Sequence, residues 1–313
     1  MPEGPLPRKT TMTKPRITGV DGTFELYRAE YSKRPRKIVP IDGEPRDVTA
    51  TVGLVSSLLA LLGDADERVT HLVYAFDNPI RSFRNDLFAG YKDDSGVPDE
   101  LRRQFDLVER VVRSLGIAVL TMREHEADDG LGSLARAFSD HEVRLLSPDK
   151  DLGQCLEESG RVVTVDRIRK REIRYGDFVA QKGFLPRFLP DFLGLTGDPQ
   201  DGIPGIPGFG EKTAAALLAA FPGLSAIPED GASWPASIRG RDKLARALSD
   251  ARDDARLYTK LATLVTDVPL GLTLDALRVP TSVPEAFVRE VSALGSPDLA
   301  ERAQKVLAGR APG

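Results

Sequence analysis

Apolar residues in the first half of the chain fall into four short unbroken runs, each leading into acid. Residues 16–20 meet Asp21, and residues 71–76 meet Asp77. Residues 116–120 lead to Glu126, Asp128 and Asp129, and residues 143–146 lead to Asp149 and Asp151. Between the runs the spacing becomes helical. Val48, Val52, Val55, Leu59 and Leu62 share one face before Gly63, and Leu101, Phe105, Val108, Val112 and Leu115 share another between Pro98-Asp99 and Gly116. A helix over 129–138 follows the third group of acids, and 162–175 reads as a hairpin at a sheet edge. Runs without alternation suit strands covered on both faces. The pattern therefore predicts a doubly wound, mostly parallel α/β domain over residues 17–190.

In such a sheet the functional crevice lies at the carboxyl ends of the strands. At least seven carboxylates then converge on one edge, where they repel one another. Hard divalent cations with oxygen ligands resolve that repulsion, which predicts a magnesium or manganese site. Each motif also has an ordinary reading. Acid in the first turn of a helix is favoured by the helix dipole, and Ser147-Pro148-Asp149-Lys150-Asp151 alone could be a polar surface turn. Their joint placement at strand ends favours the metal.

Around residue 190 the strand pattern stops. Residues 191–260 read as a small module of short helices between Gly- and Pro-rich turns, loosest over 222–240. Residues 261–272 are apolar and return to the main domain, and 280–313 carries helical periodicity. Asp198 and Asp201 precede the most distinctive stretch of the chain, Ile203-Pro204-Gly205-Ile206-Pro207-Gly208-Phe209-Gly210-Glu211-Lys212-Thr213. Glycines before a helix let backbone N–H groups approach a phosphate. A nucleotide-binding P-loop is rejected, because Glu211 separates Gly210 from Lys212 and no strand precedes the loop. A hairpin that grips a nucleic-acid backbone fits better, a plain loop being the alternative. Arg81, Arg84 and Lys92 interleave with Phe83, Phe88 and Tyr91, a mixture that can contact phosphates and stack on bases. A solvated helix face explains it equally well.

The 313 residues suit one large domain or two modest ones, and no apolar run approaches a membrane span. Residues 1–16 read as a flexible tail without the apolar core of a secretion signal. The single cysteine, Cys155, excludes an internal disulfide and reads as a structural thiol in a reducing compartment. Three scattered histidines are too few for zinc, with His125 a neighbour of the acids rather than a ligand. The net charge is −4, yet setting aside the seven strand-end acids together with Asp198 and Asp201, nine candidate metal-site acids in all, leaves +5 on the remainder. A basic surface around an acidic pocket suits a polyanionic phosphate substrate.

The ordered set of motifs resembles the flap endonuclease and 5′-nuclease family, most of all the 5′→3′ exonuclease domain of bacterial DNA polymerase I. Val20-Asp21-Gly22 with Tyr27-Arg28, Phe76-Asp77, Ser82-Phe83-Arg84 with Tyr91-Lys92, Glu126-Ala127-Asp128-Asp129 and Asp149-Lys150-Asp151-Leu152 carry the likeness. Thr196-Gly197-Asp198 with Asp201 and the Gly-Pro loop carry it to about residue 268. The resemblance implies a PIN-like fold with a helical arch around 79–98 and an inserted helix–hairpin–helix module over 191–260. It implies two Mg²⁺ or Mn²⁺ ions, one near Asp21, Asp77, Glu126 and Asp128 and one held through Asp149, Asp151, Asp198 and Asp201. Asp129 would act directly or through water. Arg84 and Lys92 would hold the scissile phosphate, while Arg81, Gly205, Gly208, Gly210, Lys212 and Thr213 contact DNA. A potassium ion at the hairpin carbonyls is implied as well. The implied substrates are DNA with 5′ flaps or 5′ ends and RNA–DNA primers, for a free-standing, monomeric, cytoplasmic and nucleoid-associated protein. Two departures stand out: Gly202 where the family usually has Asn, and Asp93-Asp94-Ser95 where arch segments commonly carry Arg. A catalytically silent DNA-junction binding protein of the same fold is the rival reading.

Overall fold

The computed structural model describes residues 15–310 of the chain. Of the tail expected over 1–16, residues 1–14 lie outside the described residues, and Arg16 already opens β1 (Arg16–Asp21). Asp21 then accepts a hydrogen bond from the Phe24 N–H at 2.8 Å and so caps α1 (Gly22–Glu30). A small antiparallel hairpin follows, β2 (Ile38–Ile41) and β3 (Glu44–Asp47). Its Asp42-Gly43 turn has positive φ at both residues, the geometry that matches strand twist in a two-residue loop. Pro40 and Pro45 hide these strands from the apolar pattern. Next come α2 (Thr49–Leu62) and β4 (His71–Asp77).

The expected helical arch is reduced to single turns, α3 (Arg84–Leu87) and α4 (Asp99–Arg102), with irregular chain between them. Gly90 and the Asp93-Asp94-Ser95-Gly96 stretch give a longer helix nothing to build on. The remaining elements around the main sheet are α5 (Gln104–Ser114), β5 (Ala118–Met122), α6 (Ala127–Ala137), β6 (Glu142–Leu146), β7 (Val162–Asp166) and β8 (Arg171–Ile173). The sheet order is β5-β4-β1-β6-β7-β8, parallel except for the edge strand β8, which forms the expected hairpin with β7.

Beyond the sheet, α7 (Tyr175–Lys182), α8 (Leu189–Thr196), α9 (Glu211–Ala220), α10 (Arg241–Asp250) and α11 (Arg252–Ala262) enclose a second apolar core. Trp234 lies in that core, edge-on to Phe209 at 6.1 Å, and its indole N–H donates to the Pro228 carbonyl at 2.8 Å. The 222–240 stretch is therefore pinned rather than loose. Finally α12 (Glu285–Ala293) and α13 (Asp298–Ala308) join α2 and α5 over one sheet face. The other face is covered by α6 and by Leu264, Val268, Leu270 and Leu272 of the apolar 261–272 segment, whose first two residues, Leu261 and Ala262, lie in the second core instead.

Candidate metal centre

Parallel pairing fixes which acids can meet. Val20 lies opposite Leu146 of β6 and Asp21 opposite Ala75 of β4, so Asp21, Asp77 and the 147–151 turn share one edge. Ser147 donates its hydroxyl to Asp21 Oδ2 at 2.9 Å, tying the first and fourth strand ends together. Asp77 Oδ1 accepts from the Ala127 N–H at 2.6 Å, which brings the N-terminus of α6 to the same place. Glu126, the N-cap of α6, accepts from Ser82 Oγ at 2.8 Å and from the Tyr91 hydroxyl at 3.2 Å. On the module side Asp151, Asp198 and Asp201 form a group whose carboxylate oxygens lie within 4.8 Å of one another.

Two lysines sit among these acids. Lys92 Nζ is 3.0 Å from Glu126 Oε2 and 2.9 Å from Asp201 Oδ1, bridging the two carboxylate groups. Lys150 Nζ is 2.5 Å from Asp198 Oδ2. Their charges offset only part of the acid. Asp128 Oδ1 and Asp151 Oδ1 are buried without a hydrogen-bond partner. An orphaned buried carboxylate oxygen is costly unless a cation meets it. The all-oxygen donor set of aspartates and one glutamate fits a hard divalent ion, and Asp21, Asp77, Glu126, Asp128, Asp149, Asp151, Asp198 and Asp201 are the residues that would hold it.

The titration pattern agrees. Burial, with Asp77 and Asp149 nearby, pushes Asp21 up to about 7, and burial beside Glu126 pushes Asp77 up to about 6. Asp128 and Asp151 are raised for the same reasons, burial first and the Asp149 charge second. Burial would raise Glu126 too, but Lys92 and Arg84 hold it below the usual carboxylate range. A carboxyl whose folded pKa exceeds its unfolded value costs the native state more as pH rises between the two. The metal-free protein is therefore expected to lose thermal stability as pH rises from about 4 to about 7. Millimolar Mg²⁺ or Mn²⁺ should raise the melting temperature at pH 8 by binding the folded carboxylates. Scanning calorimetry with and without chelator checks both; a flat pH profile with no metal shift would contradict the site.

Several expected residues occupy other roles. Arg84 is only 2% exposed and does not face an open cleft. Its guanidinium grips Asp129 with two bonds of 2.7 Å and donates to the Leu261 and Thr263 carbonyls at 2.8 and 2.9 Å. Asp129 is fully buried and also accepts from the Glu126 and Val265 N–H groups at 2.9 and 2.8 Å. All its lone pairs point inward, so Asp129 is a brace rather than a metal ligand, and Arg84 is its partner rather than a phosphate clamp. Of the aromatics, Tyr91 is buried in the module core, whereas Phe88, packed on Tyr258 at 5.8 Å, and Phe83, against His125 at 5.5 Å, are half-buried. Burial pushes the Cys155 thiol up to about 12, in keeping with a structural thiol.

Of the other expected contacts, Arg81 is exposed, with only a 3.6 Å pair to Asp86. Gly208, Gly210 and Lys212 are exposed at the start of α9 and Thr213 is half-buried, whereas Gly205 is buried against the Gly197 backbone. Gly202 has φ +72°, and a Cβ there would press into the Gly90 carbonyl. Next to it, the Lys92 N–H donates to the Asp201 carbonyl at 3.0 Å, so glycine at 202 lets the 90–92 chain lie directly on the second acid group. Ser147 and Lys150 were not read as site residues from sequence, although both lie inside the recognised acidic turn.

Residues 16–183 match the 5′-3′ exonuclease, N-terminal resolvase-like domain, and residues 184–285 match the 5′-3′ exonuclease, C-terminal SAM fold. DNA polymerase I of Pseudomonas aeruginosa is 34% identical over 277 residues, an alignment that takes in 85% of this chain and 29% of that protein. The chain thus spans about 29% of the length of that curated relative. Among solved structures, the T5 D15 protein co-crystallised with metal ions has a TM-score of 0.57 at 19% identity, covering 93% of this chain and 98% of its own. The catalytic core of Rad2 in complex with DNA substrate has a TM-score of 0.57 at 15% identity, covering 96% and 93%. At these identities the structural likeness is one of fold.

Proposed function

This chain belongs to the 5′-3′ exonuclease family, and we propose that it is a divalent-metal-dependent, structure-specific 5′-nuclease that hydrolyses phosphodiester bonds in DNA. Flaps, 5′ ends and RNA–DNA primers are the proposed substrates, in replication or repair. The observation that carries the reading is the convergence of eight carboxylates, two of them with buried unpartnered oxygens, on one edge of the sheet. Asp21, Asp77, Glu126 and Asp128 would hold one Mg²⁺ or Mn²⁺, and Asp149, Asp151, Asp198 and Asp201 the other. When bound, such a pair supplies an activated water and charge stabilisation for the departing oxygen.

The chain's own contribution is placement and fixed charge. The braced N-terminus of α6 holds Glu126 still, and Ser147 holds Asp21. Burial would lower the Lys92 pKa, but Glu126 and Asp201 raise it further, so the ammonium stays charged beside the acids. It serves as a fixed positive charge for the scissile phosphate rather than as a proton acceptor. The N–H groups of the exposed Gly208 and Gly210, with Lys212 and Thr213, would take backbone phosphates, with potassium at the hairpin carbonyls. No helix among the described residues is long and apolar enough to cross a membrane.

Lys92→Ala is expected to slow single-turnover cleavage of a 5′-flap duplex about 100-fold, with duplex affinity changed only a few-fold. The reverse split, weak binding with normal chemistry, would make Lys92 a plain backbone contact. Binding of the flap without cleavage by the unmodified protein, in any divalent metal, would favour the silent junction-binding protein.

A further inference from the structure

Lys92 lies against both groups of acids, yet no regular element carries it: α3 ends at Leu87 and α4 starts at Asp99. A lysine ammonium sits on a flexible four-carbon stem, so it is placed only as well as its backbone is. The carboxylates it touches, Glu126 and Asp201, are ones that would turn to metal, and their pull on the ammonium then weakens. Holding the charge in place falls to uncharged contacts.

The backbone is pinned on both sides of Lys92. Its N–H donates to the Asp201 carbonyl at 3.0 Å, and its carbonyl accepts from the Asn85 side-chain amide at 2.8 Å. The same Asn85 side chain accepts from the Ser82 N–H at 2.9 Å, while the Ser82 hydroxyl donates to Glu126 Oε1 at 2.8 Å. Asn85 thus uses both ends of its amide to tie the Glu126 side of the centre to the Lys92 backbone. An aspartate could accept from Ser82 but could not donate to Lys92, and a leucine could do neither. Beyond Lys92 the chain runs out to the exposed Asp93, Ser95 and Gly96. Asparagine commonly closes a loop through its side chain and by itself only steadies it. What sets Asn85 apart is that its donated bond ends on the residue whose ammonium bridges the two acid groups.

We infer that Asn85 is a positioning residue for Lys92, holding the 82–92 segment so that the ammonium stays where the scissile phosphate arrives. The role of Lys92 at the phosphate rests on the nuclease reading; the hold of Asn85 on Lys92 does not.

A double-mutant cycle tests the first part. Single-turnover cleavage of a 5′-flap duplex in magnesium, with protein in excess, is compared for the unmodified protein, Asn85→Ala, Lys92→Ala and both together. Asn85→Ala should cut about 10-fold more slowly through misplacement alone, with duplex affinity in chelator unchanged. With Lys92 already replaced, the same change should cost less than about 2-fold, because a residue that acts through Lys92 has nothing left to position. No loss in the parent, or an undiminished loss in the Lys92→Ala background, overturns the inference. Should Asn85→Ala misfold, the cycle is read with Asn85→Asp, which keeps the size and the bond from Ser82 and loses the bond to Lys92.

Lysine labelling with formaldehyde and cyanoborohydride, mapped by mass spectrometry in chelator, needs no turnover. Lys92 should label about 5-fold faster in Asn85→Ala, the ratio carried by one lost hydrogen bond, with Lys150 and Lys212 unchanged. Equal rates at Lys92 overturn the inference. Failure of the nuclease reading looks different: the unmodified protein would cut nothing in magnesium or manganese, and labelling would still decide whether Asn85 holds Lys92.

Discussion

Replacing Asp149 or Asp201 by asparagine is expected to lower metal-dependent cleavage at least about 100-fold while leaving DNA affinity equal or slightly higher. Loss even of a partner that merely orients a metal ligand costs about 10- to 100-fold in affinity or activity, and a direct ligand should cost more. Asparagine keeps the shape of the side chain and removes its charge, so the duplex meets less repulsion. A second readout separates this from simple damage. After burial, the Asp149 charge helps to raise the titration of Asp21, Asp128 and Asp151. Asp149→Asn should therefore raise the melting temperature of the metal-free protein even as it abolishes turnover. Unchanged turnover in both variants would sink the assignment of these acids to the metal.

Arg84→Ala should act on stability first. Its guanidinium satisfies buried Asp129 with two 2.7 Å bonds and two carbonyls of the 261–263 segment. Removing one partner of a buried pair leaves the other charge uncompensated, at a cost of about 3–5 kcal/mol. For a chain of this size that corresponds to a fall of about 5 to 8 °C in melting temperature. Lysine at 84 should recover little, because it cannot offer the planar two-point grip that Asp129 receives. A melting temperature within about 1 °C of the parent, with turnover alone reduced, would return Arg84 to the role of phosphate clamp.

Arg84 also shows what kind of information the chain hides. The strands were legible because 16–20, 71–76, 116–120 and 143–146 are unbroken apolar runs. The carboxylates were legible because a βα alternation allows only one edge for their strand ends. The Arg84–Asp129 pair joins residues 45 apart in sequence, and nothing local distinguishes an arginine that braces from one that binds phosphate. An acid in a first helical turn likewise reads as a ligand whether it faces a metal, as Asp128 can, or faces inward, as Asp129 does. Tyr91 misled for a related reason: it fills the core of a module that begins about a hundred residues later, and that neighbour is invisible from the local pattern. The β2–β3 hairpin did carry a signal, its Asp42-Gly43 turn, which lies outside any apolar run.

The decisive measurement is incubation of the purified protein with a 5′-end-labelled flap duplex in magnesium, in manganese and in chelator. A metal-dependent labelled product, absent with chelator and lost in Asp149→Asn, is the expected result. A short oligonucleotide cut near the junction marks flap endonuclease action, and released mononucleotides mark 5′ exonuclease action at the same centre. A duplex that is bound but left intact in every metal would contradict the assignment of the carboxylate edge to phosphodiester hydrolysis.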